Sequence, residues 1–62
     1  MKGNFITVTD VYKKKAYLLN IDQIVVIDKF DDIYDVWLSN SKYLHISYAD
    51  ANRIFEKIKM EL

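Results

Sequence analysis

The sequence predicts a small α+β fold: five antiparallel strands, as a meander or partly open barrel, followed by one C-terminal α-helix. Three observations carry this. Five short runs alternate their apolar residues with a period of two, clusters of Asn, Asp, Ser and Lys separate the runs, and after Ser47 the apolar period lengthens to three and four. The 62 residues make one domain, 1–62, with no room for a second core.

The first strand is expected at about 4–9, around Phe5-Ile6-Thr7-Val8, and Asp10 to Lys14 reads as the turn after it. A second strand at about 15–20 contains Ala16-Tyr17-Leu18-Leu19, and Asn20-Ile21-Asp22 forms a corner, either a bulge or a single helical turn. The third strand, about 23–29, holds Ile24-Val25-Val26-Ile27; Asp28-Lys29-Phe30-Asp31-Asp32 reads as a longer acidic loop. The fourth, about 33–39, holds Tyr34-Asp35-Val36-Trp37-Leu38, and Asn40-Ser41 makes a tight hairpin with Ser where Gly is commoner. The fifth, about 42–47, is Tyr43-Leu44-His45-Ile46. The helix is predicted over about 48–61. Ser47 is its N-cap with Asp50 three residues on, and Ala51, Ile54, Phe55, Ile58 and Leu62 form one apolar stripe.

Alternation gives the sheet two apolar faces. Leu18, Val36, Leu38, Leu44 and Ile46 can share one; Tyr17, Leu19, Trp37, Tyr43 and His45 then look the other way. One helix covers one face, so the second calls for another subunit or a ligand. Length points the same way, because burial at about 25 cal/mol per Å² barely offsets the ordering entropy of so short a chain. There is no Cys and only one His, which excludes disulfides and thiolate metal sites and leaves oligomerisation as the route to stability.

Nine basic and nine acidic residues balance to zero, whereas a dedicated nucleic-acid binder is usually clearly basic. No apolar run approaches the roughly 20 residues of a membrane span. The stretch from Met1 to Asn4 lacks the apolar region of a signal peptide. The expected compartment is the cytoplasm or, for a viral gene, that of the infected host.

The order Phe5-Ile6-Thr7-Val8-Thr9, then Leu18-Leu19-Asn20-Ile21-Asp22-Gln23-Ile24, then Leu38-Ser39-Asn40-Ser41, then a capped helix, resembles the small FlbD-like family of swarming and flagellar motility proteins. Similar layouts occur in small phage and gut-bacterial β proteins. The chain departs from the family pattern at Asn40-Ser41, where Asn-Gly is usual, and in its wealth of aromatic residues. The resemblance implies a non-catalytic, β-rich accessory protein.

Candidate site residues fall into two groups. Lys13-Lys14-Lys15 lie in a turn beside Tyr12 and Tyr17, where lysines could contact phosphate while an aromatic ring stacks on a base. The plainer reading, a solvated hairpin tip that guards a sheet edge, is favoured. Trp37, Tyr43 and His45 share a face, either as a ligand platform or as the aromatic centre of a subunit interface, with the interface favoured. Asp28, Asp31, Asp32 and Asp35 lack the calcium-loop pattern and read as a solvated acidic loop able to meet the lysine turn of a neighbouring subunit. No Gly-rich phosphate loop is present. The leading expectation is a non-enzymatic homo-oligomeric binding module without a cofactor. The first rival is an anionic nucleotide-sequestering protein in which Lys13–Lys15 and Arg53 neutralise phosphate at subunit boundaries. A host protein is a further candidate partner, and a nucleic-acid-binding barrel ranks behind.

Overall fold

The computed structural model describes residues 4–59. In chain order they form β1 (Phe5–Asp10), β2 (Lys15–Asn20), a 3-10 turn (Ile21–Gln23), β3 (Ile24–Phe30), β4 (Ile33–Leu38), β5 (Tyr43–Ser47) and α1 (Tyr48–Ile58). All pairings are antiparallel. The α+β class with five strands and a C-terminal helix is as expected, but the strands do not make one meander and do not close into a barrel. They divide into a two-stranded sheet, β1-β2, and a three-stranded sheet, β3-β4-β5.

The corner after β2 is why. Asn20 caps the 3-10 turn by accepting from the Asp22 N–H, and Ile21, buried, donates its N–H to the Asn4 carbonyl at 2.8 Å. Ile21 is thereby anchored in the core and the chain leaves β2 in a new direction. β3 therefore cannot lie beside β2, as a tight hairpin would require.

The core is formed by Ile6, Val8, Leu19, Ile21, Val36, Leu44, Ile46, Ala51 and Ile54. In β1 the alternation is regular, with Ile6, Val8 and Asp10 buried and their neighbours exposed. The β1-β2 register pairs Ile6 with Leu19 and Val8 with Tyr17, and directly opposed residues share a face. This reverses the expected parity of β2: Leu19 is buried, Tyr17 half-buried against the core, and Leu18 is 70% exposed. In the other sheet Val36, Leu44 and Ile46 point inward as expected, and Leu38 packs at the core's edge.

The acidic loop is shorter than the sequence suggests. Asp28, Lys29 and Phe30 belong to β3, paired with Asp35, Tyr34 and Ile33, so Asp31-Asp32 alone make the turn. Asp31 adopts φ 57°, a left-handed conformation that Asp tolerates better than most residues. Near its start β3 carries a bulge between Ile24 and Val26.

On α1 the Ser47 Oγ accepts the Asp50 N–H at 3.3 Å, the cap foreseen from sequence. Ala51 and Ile54 are buried, and Phe55 meets Tyr34 edge-on at 5.7 Å. The helix ends at Ile58 rather than near 61, because Lys59 turns left-handed (φ 55°) and its N–H caps the Glu56 carbonyl. Leu62, the last member of the predicted stripe, lies outside the described residues.

Four residues, 39–42, connect β4 to β5, and the first three form a tight loop closed between Leu38 and Lys42. The Leu38 N–H donates to the Lys42 carbonyl at 2.8 Å, the Ser41 N–H to Leu38 at 3.0 Å, and Ser41 sits at φ 71°. That position normally takes Gly, since a Cβ in the left-handed region costs about 1 kcal/mol. Ser41→Gly should therefore stabilise the protein by about 0.5–1 kcal/mol, read as a higher midpoint in thermal or urea unfolding. A lower midpoint would mean that the loop is not in this conformation.

Candidate functional site

Two neighbouring features stand out: a polar seam between the sheets and a groove beside it. The seam is centred on Asp10, a carboxylate with no accessible surface. Its Oδ1 accepts the Tyr12 and Lys13 N–H groups at 2.9 Å each, and its Oδ2 accepts the His45 N–H at 3.1 Å. The Val11 N–H donates to the His45 carbonyl at 2.8 Å. One aspartate thus shapes the turn after β1 and ties β1 to β5. Burial pushes its carboxyl up, but the N–H groups of Lys13, His45 and Tyr12, with the charge on His45, outweigh burial and hold it below the ordinary value of 3.8.

His45 bridges to a second carboxylate. Its Nδ1 lies 3.9 Å from Asp10 Oδ2 and its Nε2 3.5 Å from Asp35 Oδ1, a buried oxygen with no hydrogen-bond partner among the described residues. Asp35 stands opposite Asp28 on β3 and opposite His45 on β5, so a charged row crosses the outer face of the three-stranded sheet. Like charges directly opposed are unfavourable, and the His45 Nε2 faces the Asp35 carboxylate from the other side of the row.

Aromatic rings flank that row. Tyr12 packs on His45 at 4.6 Å, His45 meets Tyr43 edge-on at 5.1 Å, and Tyr43 stacks on Trp37 at 4.5 Å. Trp37 and Tyr43 remain 37% and 45% exposed. The structure thus brings Tyr12, Trp37, Tyr43 and His45 into one continuous strip. Tyr17 stands apart from it on β2, with the Lys15 ammonium 5.6 Å above its ring. Lys14 occupies the left-handed position of the turn (φ 55°), and its N–H donates to the Asp10 carbonyl. Arg53 is elsewhere: its Nη1 donates to the Thr7 carbonyl at 2.8 Å and pairs with Asp50 at 3.1 Å, strapping α1 to β1.

The groove, about 600 Å³, opens between β2 and the β4-β5 hairpin. Leu18, Leu19, Leu38 and Leu44 give it an apolar surface between Tyr17 and Tyr43. Polar groups come from Gln23 and the hairpin loop, and positive charge from Lys13 and Lys42. Among the described residues no carboxylate lines it.

Sequence reasoning saw Asp10 only as the start of a turn and Asn40-Ser41 only as a hairpin, and it read Asp35 as part of a solvated acidic loop, whereas Asp35 lies within β4 with a buried Oδ1 beside His45. Asp10 had a usable signal, because Asp at the first position of a turn accepts N–H groups two and three residues on. The groove had none, since it forms only when the two sheets fold against each other.

No protein-family model matches the chain, and no curated protein or solved structure is significantly similar to it. Among the described residues no group of three His, Cys, Asp or Glu side chains could hold a metal ion, and no helix is long and apolar enough to cross a membrane.

The seam makes a pH prediction. Because folding lowers the Asp10 pKa, its contribution is complete above the ordinary value of 3.8 and is lost as pH falls through the lower folded value. Asp10→Asn should cost about 1–3 kcal/mol at pH 7 and much less at pH 2, read from urea unfolding at both. An equal cost at the two pH values would contradict this account.

Proposed function

We propose that this protein acts by binding rather than catalysis, as a cytoplasmic, self-associating β module whose second copy seats on the free edge of β3. The observation that carries this reading is the exposure of that edge. β3 is the outermost strand of its sheet, and Val25 and Phe30 are 61% and 62% exposed, with Val26 beside them. Among the described residues no strand pairs with the outer side of this seven-residue edge, and such an edge with large apolar side chains is a template for another strand.

Charge favours a second copy as the occupant. Antiparallel self-pairing about a two-fold axis at Ile27 would set Val25 opposite Lys29 and Val26 opposite Asp28, so no like charges meet. Stacking the outer faces instead would bury the Asp28–Asp35–His45 row, which is costly. Asp10, the fully buried carboxylate of the cluster, is engaged in joining the sheets, which supports binding over catalysis.

Light scattering at micromolar concentration is expected to report a dimer or larger assembly. Val25→Lys combined with Phe30→Lys changes two exposed side chains and should yield a folded monomer by circular dichroism and scattering. A stable monomer of the unaltered protein would refute the reading.

A further inference from the structure

The groove between β2 and the β4-β5 hairpin has a chemical character that the chain as a whole lacks. The protein is neutral, with nine acidic residues against nine basic, yet the groove wall carries Lys13 and Lys42 and, among the described residues, no carboxylate. Lys15 adds a third ammonium close by, over Tyr17. The acidic Asp31-Asp32 turn joins β3 to β4, at the opposite end of that sheet from the β4-β5 loop. Along that sheet the acidic turn and the groove therefore lie at opposite ends, and the charged side chains that line the groove wall, Lys13 and Lys42, are both basic.

Its other surfaces suit a flat ring. A volume of about 600 Å³ lies within the range of small-molecule sites. The leucine surface is bordered by Tyr17 and Tyr43, and the Tyr43 ring is held in place by stacking on Trp37. Asn40 and Gln23 present amide NH2 groups to a ring edge, their oxygens being taken by the Lys42 N–H and the Ser39 hydroxyl, and Ser41 supplies a hydroxyl. The backbone contributes as well. On β5 the His45 N–H and C=O point toward β1 and are taken up by Asp10 and Val11. The Tyr43 N–H and C=O, two residues earlier, are directed to the same side, where β1 has turned away.

We infer that this groove binds a small organic anion bearing a planar heteroaromatic ring, of the nucleoside monophosphate class. The ring lies along the leucines between the two tyrosines, and the phosphate faces Lys13 and Lys42. The whole site is built by one protomer and does not depend on the β3 edge, so it stands or falls separately from self-association.

Amide NMR titration of the full chain with AMP tests it, with adenosine and inorganic phosphate as the two halves of the ligand. AMP should shift the Leu19, Asn40 and Tyr43 resonances and bind roughly tenfold or more tightly than either half. Lys13→Gln with Lys42→Gln, both exposed positions, should weaken AMP by roughly tenfold, at about threefold per solvent-exposed ion pair. Lys57→Gln on α1 removes one charge away from the groove and should leave binding unchanged. Absence of shifts at about 5 mM AMP would overturn the inference. So would equal shifts with phosphate alone, equal weakening by Lys57→Gln, or steeply salt-dependent binding of a uridine decamer without binding of AMP.

Discussion

The structure depends on one carboxylate kept out of water. Two sheets this small share too little apolar surface to fix their own relative position, and the polar contact at Asp10 supplies the direction that hydrophobic burial lacks. A buried aspartate is tolerable only when its oxygens are satisfied. Here the N–H groups of Tyr12, Lys13 and His45 do so, and those groups belong to the two segments that must meet. The contact spans 35 positions in sequence, so the same bonds that neutralise the cost of burial also close the fold.

Around that contact, the sheets and helix divide the molecule's chemistry. The inner faces of β1, β2, β4 and β5 are used on one core with Ala51 and Ile54 of the helix. The helix is strapped down at its first turns, where Asp50 Oδ2 accepts the Thr9 N–H at 2.9 Å and Arg53 reaches the Thr7 carbonyl. Everything outward from β3 and from the Trp37–Tyr43 stack is left uncovered. The 11-residue helix does not reach those surfaces.

Much of this was legible in the sequence, in proportion to how local the controlling physics was. The helix, its Ser47 cap and the inward set Val36, Leu44 and Ile46 follow from periodicity and capping, which act over a few residues. The parity of β2 was not legible, because the Leu18-Leu19 pair is equally apolar either way and only its register with Ile6 and Val8 decides. The split into two sheets was hidden in Asn20-Ile21-Asp22: the corner was visible, but the anchoring of Ile21 by the Asn4 carbonyl is a tertiary contact. For the candidate site, the sequence picked out the aromatic strip. It could not show that Arg53 would be taken up by the helix strap, or that residues from the Gln23 corner and the hairpin loop would line a common groove.

The hairpin loop has a consequence for the chemical lifetime of the protein. Asparagine ages when the nitrogen of the next residue attacks its side-chain carbonyl and expels ammonia. In this loop the Ser41 nitrogen is committed to the Leu38 carbonyl at 3.0 Å, and the Asn40 side-chain oxygen is held by the Lys42 N–H at 3.1 Å. Both reacting partners are thus restrained, and serine, unlike glycine, also crowds the approach. The native fold therefore protects Asn40 from succinimide formation, a protection that unfolding would remove and that mass spectrometry of folded and denatured samples would register as different deamidation rates.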